Sequence, residues 1–265
     1  MASDNAPDAG RVNYSRNAQG IAAITLDRPA KLNAISDDMA AQLRTCLQQF
    51  DLDDGADIAI FSGTGRAFCA GADVGRHQRS TAERLAAKVN DQRRDLLANA
   101  LNWKPVIAAV HGYVYGFGLS LALRCDIIVA GRDARFQVAE IPRGLSGSGI
   151  WAALKFRGLG TFADDVVLSG RTFSAEEALA GGVINAVAPE GGHLAEAERW
   201  AQRLLANPRG AVRDAIRTRR WYAQSFAREA HILSQPHPDL HESQDFKNRV
   251  KDFSTRKDKE GKTSD

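Results

Sequence analysis

The chain has little of what would mark a stapled, metal-bound or membrane-spanning protein. Its 265 residues include three cysteines, Cys46, Cys69 and Cys125. The number is odd and no C-x-x-C pair occurs, so neither a disulfide framework nor a cysteine zinc site is indicated. A reduced, intracellular protein is expected. The six histidines show no H-E-x-x-H or other ligand spacing, and no metal is expected. No apolar run is long enough to cross a bilayer. MASDNAPDAG lacks the charged and apolar regions of a secretory signal, so the expected location is cytoplasmic, with no membrane partner. Charge of one sign is also scarce. A net charge of +3 and a pI near 8.8 are too weak to indicate a nucleic-acid partner, but suit an anionic small ligand.

What is present is ordinary for a globular chain, 44% hydrophobic and 25% charged, enough to bury a core. Residues 1–10 read as a flexible start. GIAAITLD (20–27), DIAIFSG (57–63), PVIAAVHG (105–112), DIIVAG (126–131) and VINAVAP (183–189) read as short apolar strands. Ser36 opens a helix whose Met39, Leu43, Leu47 and Phe50 fall on one face. Leu85, Val89, Leu96, Leu97 and Leu101 predict another over 82–102. Ser174 and Glu177 form a capping box at the head of SAEEALAGG. From about Asn207 the pattern is helical, with Pro208 at a first-turn position. The final fifteen residues are dense in both charges and read as disordered. Strands alternating with helices predict an α/β fold. A faint repeat links DIAIFSGTGRAF (57–68) to DIIVAGRDARF (126–136), as though the chain makes similar turns of a spiral.

Several motifs come close and fail. GKT at 261–263 lacks the required upstream glycine, since Arg256 occupies that place, and follows no strand. GLSGSG (144–149) misses the last glycine of a nucleophile elbow. Gly112, Gly116 and Gly118 do not fit a dinucleotide fingerprint. Two loops remain. FCAGAD (68–73) follows a strand, and GYVYGFG (112–118) joins a strand to a helix. A helix N-terminus presents unpaired N–H groups and partial positive charge. Two such donors facing each other would make an oxyanion hole.

RPAKLNA, AFCAGAD, KPVIAAVHGYVYGFG…LALRCDIIVA, ARF and RGL…G occur in order from about residue 20 to about residue 200. In this the chain resembles the crotonase superfamily, the enoyl-CoA hydratase/isomerase family. The resemblance implies a spiral of ββα repeats over 11–206 with an acyl-CoA site. It also implies a helical trimerisation region with a charged tail over 207–265, forming homotrimers or hexamers. Coenzyme A enters only as part of the thioester substrate, with no separate cofactor. The Ala72 and Phe117 N–H groups are implied as the oxyanion hole. Glu140 is implied as the acid/base. Arg28 and Lys31, together with Ala70 and Asp73 in the first loop, fall where coenzyme A would be bound. Phe253, Arg256 and Lys257 fall where relatives reach coenzyme A from a neighbouring subunit.

The departures matter for the reaction. Hydratases of this family use a second glutamate early in the helix after the glycines, and here that position is Ser120. A further aspartate found in some isomerases, dehalogenases and dienoyl isomerases corresponds to Ser148. The expected activity is therefore hydration or double-bond isomerisation through an enolate with a single glutamate. Hydrolysis or C–C cleavage, using water near Ser120 or Ser148, is an alternative. So is a coenzyme A-binding protein with impaired catalysis. Tyr113 and Tyr115 are candidates for the acyl pocket. Trp151, Phe156 and Phe162 read as core or interface.

Overall fold

A computed structural model describes residues 10–73, 97, 100–234, 240, 243–249 and 251. Its main sheet has six strands: β1 (Arg11–Arg16), β2 (Ile21–Asp27), β3 (Ile58–Gly63), β4 (Val106–Val110), β6 (Ile127–Gly131) and β9 (Ala186–Ala188). They lie side by side in that order. β1 pairs antiparallel with β2, and every later pair is parallel. A second sheet joins β5 (Tyr113–Tyr115), β7 (Arg135–Gln137) and β8 (Thr172–Ser174). The helices are α1 (Asp37–Leu52), α2 (Phe117–Arg124), α3 (Ser148–Arg157), α4 (Gly160–Ser169), α5 (Ala175–Ala180), α6 (His193–Leu205) and α7 (Arg209–Ser234).

Parallel strands covered on both faces need apolar side chains at successive positions, which is why their sequences read as runs. The period of two then divides each run between two cores. Val106, Ala108 and Val110 of β4 join the larger core, with Ile128 and Ala130 of β6. Ile107, Ala109 and Val129 point the other way and pack with Ala197 and Ala201 of α6.

The expected helix caps are present. The Ser36 side chain accepts from Met39 N, and α1 buries Met39, Leu43, Cys46 and Phe50. Ser174 and Glu177 close a reciprocal capping box at α5. Of the helix expected over 82–102, residues 97 and 100–102 are turn, bend or irregular, and the remainder lies outside the described residues. The same holds for the tail residues Phe253, Arg256 and Lys257.

The repeat seen in the sequence has a structural counterpart. Asp57 and Asp126 stand just before β3 and β6, and α7 runs past both. Arg209 and Arg213 pair with Asp57 at 2.6 and 3.3 Å. Arg219 and Arg220 pair with Asp126 at 3.2 and 2.5 Å. Arg220 and Asp126 are both buried, and Arg220 also donates to the Leu97 and Lys104 carbonyls. A carboxylate desolvated to this degree requires its cations, so the long helix is fixed at two points to the N-terminal ends of inner strands of the sheet.

Candidate active site

The two loops singled out in the sequence are laced together. Cys69 N donates to Tyr113 O, and Tyr115 N donates to Cys69 O, both at 3.0 Å. On its other side the first loop is tied to residues 32–35. Ala70 N donates to Leu32 O at 2.9 Å, Ile35 N to Gly71 O at 2.9 Å, and Asp73 N to Ile35 O at 3.0 Å. A trans peptide is planar, with its C=O and N–H pointing in opposite directions. Because the Gly71 carbonyl is turned to Ile35, the Ala72 N–H faces away from it, toward the side where β5 lies. The loops are close here, since a methyl group built on Gly71 would stand 3.8 Å from Phe117 N.

Phe117 is the first residue of α2, and Ser120 N donates to Gly116 O at 2.9 Å. The same peptide rule turns the Phe117 N–H out of the helix end. Among the described residues, neither it nor the Ala72 N–H has a hydrogen-bond partner. The glycines on either side of Phe117 do different work. Gly116 adopts φ 51° and ψ −117°, a conformation that a side chain strongly disfavours. Gly118 lets the helix approach the first loop, because a β-carbon there would stand 2.4 Å from Cys69 O. The Phe117 side chain is partly buried against the larger core.

Glu140 lies over the same corner. A methyl group on Gly116 would meet Glu140 Oε1 at 3.1 Å. Glu140 Oε2 is buried with no hydrogen-bond partner among the described residues. Burial raises the carboxyl pKa above its ordinary value, opposed by the residue's own backbone N–H and by Arg143. A half-buried carboxyl group poised in this way is suited to exchanging protons.

The other predicted residues fall out differently. Ser120, one turn into α2, is half-buried. Ser148 opens α3, where its hydroxyl accepts from Ser146 Oγ at 3.0 Å. Arg28 is buried, and its guanidinium turns inward to Asp73 Oδ2 at 2.6 Å and Ala34 O at 3.0 Å. It therefore braces the first loop. Asp73 is its partner, Ala70 contributes the backbone bond to Leu32, and Lys31 is exposed at the end of a 3-10 turn. Tyr113 is exposed and Tyr115 half-buried, with their rings edge-on at 5.3 Å. Trp151 and Phe162 pack against the larger core. Phe156 lies under the Arg219 guanidinium. Sequence reasoning missed the Arg28–Asp73 pair. The signal was an arginine and an aspartate in separate motifs.

A parallel-rich sheet of this topology, with two backbone donors unpartnered among the described residues beside a half-buried carboxyl group, defines a crotonase-fold protein. Comparison with known proteins agrees. The enoyl-CoA hydratase/isomerase family model matches residues 16–260. A mevalonyl-coenzyme A hydratase of Beauveria bassiana is 36% identical over 199 residues, covering 71% of each chain. The 2,3-dehydroadipyl-CoA hydratase of Escherichia coli is 37% identical over 174 residues, covering 64% of this chain and 67% of its own. A crystal structure of an enoyl-CoA hydratase/isomerase from Mycobacterium paratuberculosis superposes with a TM-score of 0.77 at 28% identity, covering 91% of this chain and 98% of the other. The chain belongs to the enoyl-CoA hydratase/isomerase family. Among the described residues, no helix is long and apolar enough to cross a membrane.

Proposed function

We propose that the protein moves protons on an acyl-CoA thioester through an enolate, with Glu140 as the one acid/base. The thioester oxygen accepts from the Ala72 and Phe117 N–H groups. Glu140 takes a proton from the carbon next to the carbonyl, and the C–H electron pair moves into the enolate oxygen. That charge exists only along the reaction path, so the two fixed donors stabilise the transition state more than the substrate. Returning the proton two carbons further along the chain completes a double-bond shift. This sequence requires one carboxylate, and that is the observation carrying the proposal: the half-buried Glu140 carboxyl, whose Oε2 is buried without a partner among the described residues, and a serine where a second would be.

Hydration is the second reading, supported by the names of the two hydratase relatives. There Ser120 orients the water while Glu140 handles its proton. Neither reading requires a resident cofactor, because coenzyme A arrives within the substrate. Lys31 is the residue we assign to its phosphates. Arg28, Ala70 and Asp73 support the loop that faces it. The proposed assembly is a homotrimer or a hexamer, supported by the exposed Trp221, Tyr222 and Leu233 of α7. A monomer in gel filtration would overturn this.

The test is Glu140→Gln on a panel of 2-enoyl-, 3-enoyl- and 3-hydroxyacyl-CoA thioesters. Loss of a positioned acid/base should lower kcat by roughly 10²–10⁴-fold. Full retention would rule out Glu140. Binding of the thioesters by the wild type with no turnover of any would favour a non-catalytic binding protein.

A further inference from the structure

The loop that carries Glu140 is held from a distance in sequence. Glu140 starts a single 3-10 turn, Ile141–Arg143, which ends at Gly144 with φ 75°. Its carbonyl accepts from both Arg143 N and Leu145 N, at 3.0 and 2.9 Å. The orientation of Glu140 is therefore coupled to the path of the chain through Gly144. Two segments press on this turn. On one side Pro142 fits against Gly170, where a methyl group would come within 2.7 Å of the proline ring. On the other, the backbone of Phe246 covers Gly144: a β-carbon there would stand 3.4 Å from Phe246 N and 3.6 Å from its Cα. Phe246 is only 5% exposed, although its neighbours Asp245 and Lys247 are exposed. Its short helical segment is held by Ser243, whose hydroxyl accepts from Phe246 N at 3.2 Å and donates to Leu240 O at 2.6 Å.

The geometry points to Phe246 as a positioning residue for Glu140, acting through Gly144 and the intervening 3-10 turn. The C-terminal segment thereby sets the aim and the solvation of the acid/base group. This rests on Glu140 being the acid/base. The role differs from gripping coenzyme A. A residue that only held the substrate would move KM, whereas one that aims the base moves kcat and the pH at which the base titrates. Among the described residues the charge that acts on Glu140 is Arg143, on its own turn; Asp245 and Lys247 are exposed on either side of Phe246, in the segment against Gly144. Gly116 and Ala139, which also approach it, are uncharged.

The experiment compares the full-length wild type with Phe246→Ala, Phe246→Leu and Glu140→Gln. Steady-state kinetics are measured across about pH 3.5–9, a range spanning the usual carboxylate and histidine pKa values of roughly 4 to 6.5. For Phe246→Ala the expected result is a fall in kcat of about tenfold, with KM changed much less. The acid limb of the kcat profile should move to lower pH, because a loosened turn admits water to the carboxylate. Phe246→Leu, which keeps most of the buried volume, should restore both. A rise in KM alone would show a substrate contact and overturn the inference. So would a wild-type profile in Phe246→Ala, provided that Glu140→Gln is inactive. If Glu140→Gln is fully active, the acid/base assignment itself fails, which is a separate result. Should Phe246→Ala not fold, Gly144→Ala carries the test, and a wild-type kcat and pH profile in that variant refute the inference.

Discussion

Gly116→Ala puts the shared corner of the two loops under strain. One methyl group confronts two constraints. The first is conformational: at φ 51° and ψ −117° an alanine is strained by about 2 kcal/mol. The second is steric, because the methyl meets Glu140 Oε1 at 3.1 Å. The chain has two ways to respond. It can keep its shape and lose stability, in which case about 2 kcal/mol lowers Tm by roughly 4–8 °C in a chain of this size. Alternatively, Gly116 can rotate to negative φ. Gly116 N is anchored to Gln137 O at 3.0 Å, so the rotation falls on the peptide joining Gly116 to Phe117. That movement turns the Phe117 N–H away and breaks the bond from Ser120 N to Gly116 O.

Loss of one oxyanion donor costs about 3–4 kcal/mol, or roughly 10²–10³ in kcat. Differential scanning fluorimetry and steady-state kinetics on the thioester panel separate the two responses. A lowered Tm with near-normal kcat identifies the first. A preserved Tm with collapsed kcat identifies the second. A variant with both wild-type Tm and wild-type kcat would refute the reasoning, since it would show that neither the backbone shape nor the clearance for Glu140 matters.

Other consequences are open to direct measurement. Asp126→Asn removes the charge that satisfies buried Arg220 and nearby Arg219, and should destabilise by about 3–5 kcal/mol in urea denaturation. His193 is buried and stacked on His111 at 4.4 Å between ring centres. Burial first, then His111, lowers its pKa from 6.5 to about 4, against the pull of Asp133. The unfolded chain therefore binds a proton that the folded one refuses. Stability is full above the unfolded pKa and falls as pH drops toward 4, by on the order of 2 kcal/mol at pH 5. His193→Leu should flatten that part of the curve of stability against pH. Ser120→Glu should raise hydration of crotonyl-CoA, measured by loss of enoyl absorbance, and no rise would show that the pocket does not hold a second carboxylate in hydratase geometry.

What the sequence made legible follows from physics at short range. The inner strands of the main sheet announced themselves because both faces are covered, so β4 is five buried residues in a row. The caps at Ser36 and Ser174 are local chemistry and were readable as such. The second sheet was not, because β5, β7 and β8 have three residues each. That length holds no period to detect. β1 was missed for a related reason, since RVNYSR offers only Val12 and Tyr14 as inward apolar positions. In α3 the buried residues are Ile150, Ala152 and Leu154, spaced by two. The helix lies among α2, α4 and α7, so no single stripe marks its inner face.

The site divides along the same line. Glycine reports on backbone shape, so the two loops could be found from composition alone. A charged residue announces its charge but not its partner. Arg28 and Asp73 stand in different motifs, and only folding shows that they bind each other at 2.6 Å. That pairing changes the meaning of RPAKLNA. Arg28 holds Asp73, Leu32 O holds Ala70 N, and Ile35 holds both Gly71 O and Asp73 N. Asn33 holds the approach to the loop through Thr64 O and Ala67 O, both at 2.8 Å. Every one of these contacts acts on residues 64–73, and together they fix the peptide whose N–H belongs to Ala72. The motif is thus a template for a backbone donor, and the basic residue that opens it helps to set the shape of the loop.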